Sequence, residues 1–387
     1  MATVRTNALN HLKSFAPRAG LSYEQKRNFD FGPGQHHYVS QLSPYLRGRI
    51  VTETEVLSEI LHHHTDAQAE KFIQEVFWRG YFRGWLEHRP WVWHDLTTYL
   101  AKQQGDIFAL LDLNEKKLGP DCMRYWLQEL RDTGYLHNHA RMWFASIWIF
   151  TLGLPWQLGA RLFMENLLDG DSASNTLSWR WVGGLHTIGK NYVARRDNIL
   201  RYTDGRHDPG HLLHEVAEPL QTLPHPPATN PLLESHETIR PGGTLILHDD
   251  DFDGDQYWQN LCQPARTFVV SFAAHRAQHM SHKVLDFAQQ SSQDMASEKG
   301  GEVIAPSELL EHLIGAPKPW IVPRPFVGPV GTFFDKMNSE IQSDQTNFLQ
   351  PVRVYDQLVW PYCKKGFFQV KKNIPVLLES LAIGHEK

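Results

Sequence analysis

From Ser43 to Arg201 apolar residues recur at spacings of three and four, and alternating runs are nearly absent. That period belongs to amphipathic helices, so this half of the chain is expected to be all-α. The clearest case is AQAEKFIQEVFWRGYFRGWLEH. Ahead of it stands TETEVLSEILHHH, where Thr52 and Glu55 are spaced for a capping box. LSPYLRGR reads as a short helix, and Gly105, Gly119-Pro120 and Gly153 punctuate later ones. Met142 to Trp156 is the most apolar run; it is too short and interrupted to span a bilayer and is expected to be a core helix. Residues 1–37 are polar, with Gly and Pro towards their end, and predict loop with a short helix. Residues 207–241, rich in His, Pro and Thr, predict a linker. Beyond Gly242 the texture changes. TLILHDDD, RTFVVSFAA and PWIVPRP are strand-length apolar runs, with GGEVIAP and VRVYDQLVW as further strand candidates. SHKVLDFAQQSSQDMASE, PSELLEHLI and VGTFFDKMNSEIQ are helical stretches between them. Such alternation predicts a parallel, doubly wound sheet of four or five strands. The expected organisation is a helical domain (1–206), a linker (207–241) and a smaller α/β domain (242–387).

At 387 residues the chain is long enough for two cores. Net charge is −5, which announces no global nucleic-acid field. Its distribution is uneven: residues 1–206 hold 24 Lys+Arg against 21 Asp+Glu, residues 207–387 hold 14 against 22. A phosphate-binding surface is therefore expected as a local patch in the first half. Cys122, Cys262 and Cys363 are widely spaced and form no CxxC pair, which argues against a thiolate zinc site or an iron–sulfur cluster; no metal is expected. The first 23 residues are basic and carry no acid, as in organelle transit peptides, but no apolar leader is present, and a cytoplasmic, membrane-free monomer is the expectation. Ten of the 13 tryptophans fall between Trp78 and Trp181. Core packing accounts for such density, and so do stacking surfaces around an aromatic ligand.

Three polar clusters sit in this Trp-rich setting. LLDGDSASNTLSWRW brings Asp169, Asp171 and Asn175 close to Trp179 and Trp181. In GYLHNHARM, Asn138 and Arg141 are three apart and share a helix face, from which Arg141 faces a carboxylate such as Asp169 or Asp171. In EVFWRGYFR, Glu75, Trp78 and Arg79 share a face, either as a grip on a flat heterocycle or as a core indole beside a surface ion pair. The His62-His63-His64 run is expected to be a solvated helix end. The stretch VRVYDQLVWPYCKKGFFQVKKNIP is basic and aromatic, and packing is its expected role, with contact to nucleic acid or to the helical domain as the alternative.

YEQKRNF, SQLSPYL, the E-x-x-WR step, GYLHNHARM, GLPW and LLDGDSASNTLSWRW occur in an order that resembles the helical FAD-binding domain of the DNA photolyase/cryptochrome family. The resemblance runs from about Tyr23 to Arg201 and implies a U-shaped FAD inside the helices. It implies that Ser40, Leu42 and Ser43 hold phosphate and that Tyr23 touches the cofactor. Arg79 would line the pocket, Arg141 would pair with an aspartate near the isoalloxazine, and Asp169, Asp171 and Asn175 would hold the flavin edge and the ribose-adenine side. Asn138 would face flavin N5, as is typical of relatives that repair cyclobutane dimers. Glu75 would hydrogen-bond the lesion, and Trp78 and Trp181 would pack on it. Trp179 and Trp156 would form a tryptophan relay whose outer position falls on Leu113, with Trp126, Trp143, Trp148 or Tyr125 as replacements.

Gly80 and Tyr135 depart from the acid and the Trp found in many relatives. Relatives usually carry an α/β antenna domain ahead of the helical one; here the α/β-like segment follows it, which suggests a permuted or relocated antenna-like domain, with any second chromophore unspecified. The implied function is light-driven repair of pyrimidine dimers in DNA, with a preference for single strands suggested by the acidic balance. The alternatives are a cryptochrome-like photoreceptor and a light-independent oxidoreductase, the last disfavoured by the absence of GxGxxG.

Overall fold

The computed structural model describes residues 2–103, 119–231, 239–276, 279–340 and 348–383. Up to Tyr202 every described regular element is a helix. The Glu53–His63 helix opens on the expected capping box, with Thr52 accepting from the Glu55 N–H and Glu55 reaching back to the Thr52 N–H. Before it lies a 12-residue helix, Val4–Phe15, in place of the predominant loop expected there. Thr3 caps it, and Val4, Ala8, Leu12 and Phe15 form its buried stripe. The apolar run from Met142 is helical to Ser146 and then opens into one π-turn, Ile147–Thr151, burying Trp143 and Trp148. No described helix is long and apolar enough to cross a membrane.

Four parallel strands follow: β1 (Thr244–His248), β2 (Arg266–Val270), β3 (Glu302–Ile304) and β4 (Trp320–Ile321), in the order β3-β2-β1-β4. Every residue of β1 is buried, as expected where both faces are covered. Leu245 and Leu247 join the core shared with the helical half, while Ile246 faces a second core under the Leu309–Leu313 and Pro329–Glu340 helices. Main-chain bonds at 2.9 Å link Leu349 to Trp320 and Val322, and Pro351 to Arg324, so a rudimentary fifth strand runs beside β4. VRVYDQLVW, a strand candidate by pattern, is instead mostly the helix Val354–Val359. Its Tyr355 and Val359 are buried against the helical half.

The two halves are joined by buried charge as well as apolar contact. The HDDDFDGD loop after β1 faces arginines. Arg353 holds Asp251 at 2.5 Å, Asp253 at 3.2 Å and Asp255 at 2.9 Å. Arg49 of the helical half reaches Asp251 at 3.4 Å, Asp356 at 2.7 Å and Glu53 at 3.2 Å.

The C-terminal segment docks on the Glu70–Glu87 helix through two glycines one turn apart. A Cβ at Gly80 would stand 2.7 Å from the Tyr355 hydroxyl, and one at Gly84 2.7 Å from both Cys363 Sγ and Trp360 Cδ1. Gly84→Ala is therefore expected to cost about 1–3 kcal/mol by overpacking; an unchanged urea midpoint would contradict this close approach.

Candidate functional site

Loop 167–171 and the helices Glu70–Glu87, Asn138–Ser146 and Ser172–Val182 bring the polar clusters together. Arg141 donates to Asp169 Oδ2 at 2.9 Å and to the Leu136 carbonyl at 2.9 Å. Burial by itself would raise the Asp169 pKa, but Arg141, the Ser43 hydroxyl and Arg79 together hold it below the usual carboxylate range. Asp171 caps the Ser172–Val182 helix by accepting from the Ser174 N–H at 2.6 Å. Its other oxygen takes two N–H groups of Arg83 at 3.1 and 3.2 Å, with Arg79 at 3.9 Å. Arg83 and Arg79 outweigh burial and hold the Asp171 pKa far down. Asn175 donates to the Ala160 carbonyl at 2.8 Å.

Asn138 is exposed at the first position of its helix, and His137 forms the cap, Nδ1 accepting from the His139 N–H at 3.2 Å. Leu42 is fully buried before the Ser43–Arg47 helix, and Ser40 accepts from the Leu42 N–H at 3.4 Å. Tyr23 is buried against Phe15 and Phe72. Beside the S-x-L-S segment opens a cleft of about 290 Å³, lined in part by Gln41, Pro44, Tyr45, Tyr135 and Leu168.

Arg79 Nη1, Asp169 Oδ1, Thr176 Oγ1 and Trp179 Nε1 are buried polar atoms that form no hydrogen bond among the described residues. Buried polar groups are rarely left so. Arg79 and Asp169, which face each other beside Asp171, are unsatisfied groups of the kind that a polar heterocycle such as flavin, held from its edge, would satisfy. Arg79, Arg141, Asp169 and Asn138 could hold such a group.

One turn back from Arg79 on the same helix, Glu75 is 36% exposed and accepts from Arg27 Nη1 at 2.7 Å. Burial pushes its pKa up, and Arg27 pulls it back only in part. Trp78 is half-buried and stacks on Phe367 at 3.9 Å and 15°. Trp181 is half-buried and stacks on Tyr192 at 5.6 Å. Trp179 is buried among Phe163, Trp148 and Phe144, with ring centroids 5.1, 6.1 and 6.5 Å away. Trp156 is buried beneath the Arg180 guanidinium, 5.7 Å from its ring centre. Trp126 and Trp143 form a separate stacked pair at 5.6 Å, and Tyr125 is 63% exposed. Leu113 lies outside the described residues.

Sequence reasoning missed Arg83, which joins Glu53 and Asp171 across three elements at 3.2 and 3.1 Å. It also missed Asp30, His36 and Glu129, buried side chains whose ligand-type atoms lie within 4.8 Å of one another. Glu129 is bonded to His36 Nε2 at 2.8 Å, and the Asp30 oxygens are taken by the Gly32 N–H, the Trp126 indole N–H and Arg206.

His186, beside Tyr81 and Trp85, is a further buried titratable group. Burial, then Arg180, His225 and Arg89, push its pKa down to about 3. The folded state keeps it neutral while the unfolded chain takes up a proton near pH 6.5, so stability is lost as pH falls from there towards 3. Between pH 7 and 5 the wild type is expected to lose about 2 kcal/mol more than His186→Gln; parallel urea-midpoint profiles would contradict it.

Residues 72–211 match the family described as the FAD binding domain of DNA photolyase. Among curated relatives, the chain is 28% identical to a deoxyribodipyrimidine photo-lyase of Escherichia coli, over 48% of this chain and 40% of that protein. It is 30% identical to one of Thermus thermophilus, over 52% of this chain and 47% of that protein. It thus spans less than half the length of either relative. Among solved structures, a class III photolyase from Agrobacterium tumefaciens aligns with a TM-score of 0.42 at 26% identity, covering 52% of this chain and 42% of that one. A Synechocystis cryptochrome aligns with a TM-score of 0.42 at 23% identity, covering 52% and 43%. These comparisons make the helical segment similar to the FAD binding domain of DNA photolyase and support membership of the photolyase/cryptochrome family.

Proposed function

We propose that this protein is a light-driven DNA repair flavoprotein that splits cyclobutane pyrimidine dimers. The observation that carries this is the single helix Glu70–Glu87: it supplies Arg79, whose Nη1 is buried without a hydrogen bond beside Asp169 and Asp171, with Trp78 next to it and Glu75 one turn away. FAD, when bound and reduced, supplies a photoexcited electron to the lesion. The protein's part is binding, orientation and electrostatics. Arg141 and Asp169 form the pair against the ring edge, with Arg79 and Asn138 completing the cradle and Tyr23, Ser40, Leu42, Ser43, Asp171 and Asn175 supporting it. Glu75, with its raised pKa, hydrogen-bonds the lesion carbonyls where negative charge develops. Trp78 and Trp181 wall the pocket for a pyrimidine dimer taken out of the stack. Trp179 and Trp156 carry electrons inward, and Trp148, in ring contact with Trp179, is a second route.

Single-stranded DNA is the proposed preferred substrate, since the chain is net acidic. We further infer that the β3-β2-β1-β4 layer is a relocated antenna-like domain. A second maximum in the repair action spectrum would support light harvesting there; a spectrum that follows flavin absorption alone would reject it.

Two contacts favour a second function, a photoreceptor without repair: Arg27 holds Glu75, and Phe367 covers one face of Trp78. Illumination under reducing conditions with dimer-bearing oligothymidine decides between them. Restored thymines are expected; none, from a protein loaded with FAD, would favour the photoreceptor. Equal rates on single and double strands would reject the strand preference.

A further inference from the structure

The charge balance places the acidic half of the protein in residues 207–387, yet from Gln357 to Leu378 it carries four lysines and no acid. These lysines frame the segment KKGFFQVKK, Lys364–Lys372. The structure seats it beside the proposed lesion pocket. Phe367 is buried in a stack on Trp78 at 3.9 Å and meets the edge of Tyr81 at 5.6 Å. Cys363, just before it, lies against Gly80 and Gly84 of the same helix. The next residue, Phe368, turns the other way and is 70% exposed. Lys364, Lys365 and Lys372 are exposed and, among the described residues, form no ion pair; Lys371 pairs with Glu70 at 3.5 Å. A large aromatic side chain left in water among free ammonium groups, anchored through its neighbour to the pocket wall, stabilises nothing in the fold.

We propose that Lys364–Lys372 is a contact for single-stranded DNA flanking the pocket, Lys364, Lys365 and Lys372 holding backbone phosphates and Phe368 stacking on an unpaired base. The chemistry is that of single-strand binding surfaces, in which cations track phosphates and aromatic faces accept any base. It rests on the lesion-pocket assignment for its location but not for its measurement.

The test is dark binding of a fluorescent, undamaged oligothymidine by the FAD-loaded protein, followed by anisotropy over a salt series. The triple variant K364Q/K365Q/K372Q is expected to shallow the slope of log K against log salt by about 2, from about 0.7 per lysine. F368A is expected to weaken binding on the order of tenfold with the slope unchanged. All four side chains are exposed, so FAD content and urea midpoint serve as controls for folding. Wild-type affinity in both variants would overturn the proposal, as would a wild type that binds no oligothymidine or releases it equally to polyglutamate of the same charge. Loss of binding in the variants, with a wild type that fails to repair dimers, would uphold this contact while removing the repair function.

Discussion

Arg83→Ala is expected to destabilise the protein by about 3–5 kcal/mol, the cost of leaving buried charges without their partner. Arg83 is fully buried and touches Glu53 at 3.2 Å, Asp171 at 3.1 Å and the Arg47 carbonyl at 2.7 Å. Without it, two carboxylates face each other across a gap that Arg79 and Arg49 only partly cover. Asp171 also caps the helix that carries Asn175, Trp179 and Trp181, so the loss spreads to the candidate flavin cradle. The variant is therefore expected to lose FAD on gel filtration at temperatures where the wild type keeps it. Arg83→Met, which restores volume without charge, is not expected to rescue it, because Glu53 and Asp171 remain. A midpoint within 1 kcal/mol of wild type would show that the network adds little.

Glu75→Ala is expected to leave the fold and FAD content intact and to lower repair yield on the order of tenfold, about the worth of one hydrogen bond to a charged group. Glu75 is partly exposed and, among the described residues, pairs with Arg27, itself near the surface, so the stability effect is small. The lesion must displace Arg27 from the carboxyl or share it. Arg27→Ala consequently separates the roles: with the guanidinium gone, the Glu75 pKa rises further, and repair is expected to persist to higher pH. Unchanged repair in Glu75→Ala would remove the carboxyl from the chemistry.

The helical half was legible because its local signals agree. Thr52 and Glu55 announce their capping box at three-residue spacing, and Asn138 and Arg141 announce a shared face; the Arg141–Asp169 pair follows from that face. The parallel sheet was legible from short apolar runs alternating with helices. A short helix was expected within residues 1–37, but the position and length of Val4–Phe15 were not legible, because its exposed face is almost as dense in polar residues as a loop. VRVYDQLVW is rich in β-branched and aromatic residues like a strand, but it folds as a helix that places Tyr355 opposite Gly80. Arg83 and the HDDDFDGD acids gave no local sign of their partners, since Arg83 and Asp171 are 88 positions apart and Arg49 and Asp251 are 202 apart. Long-range charge pairing is decided by packing, not by period.

The most direct test is uptake of FAD by the purified, folded protein. Bound flavin is expected, with structured absorption near the blue and a urea midpoint that rises with FAD concentration, as ligand linkage requires. Arg141→Ala, which strands Asp169, is expected to abolish both. A colourless protein with native circular dichroism, whose midpoint does not move at any FAD concentration, would contradict the cofactor site on which the proposed chemistry depends.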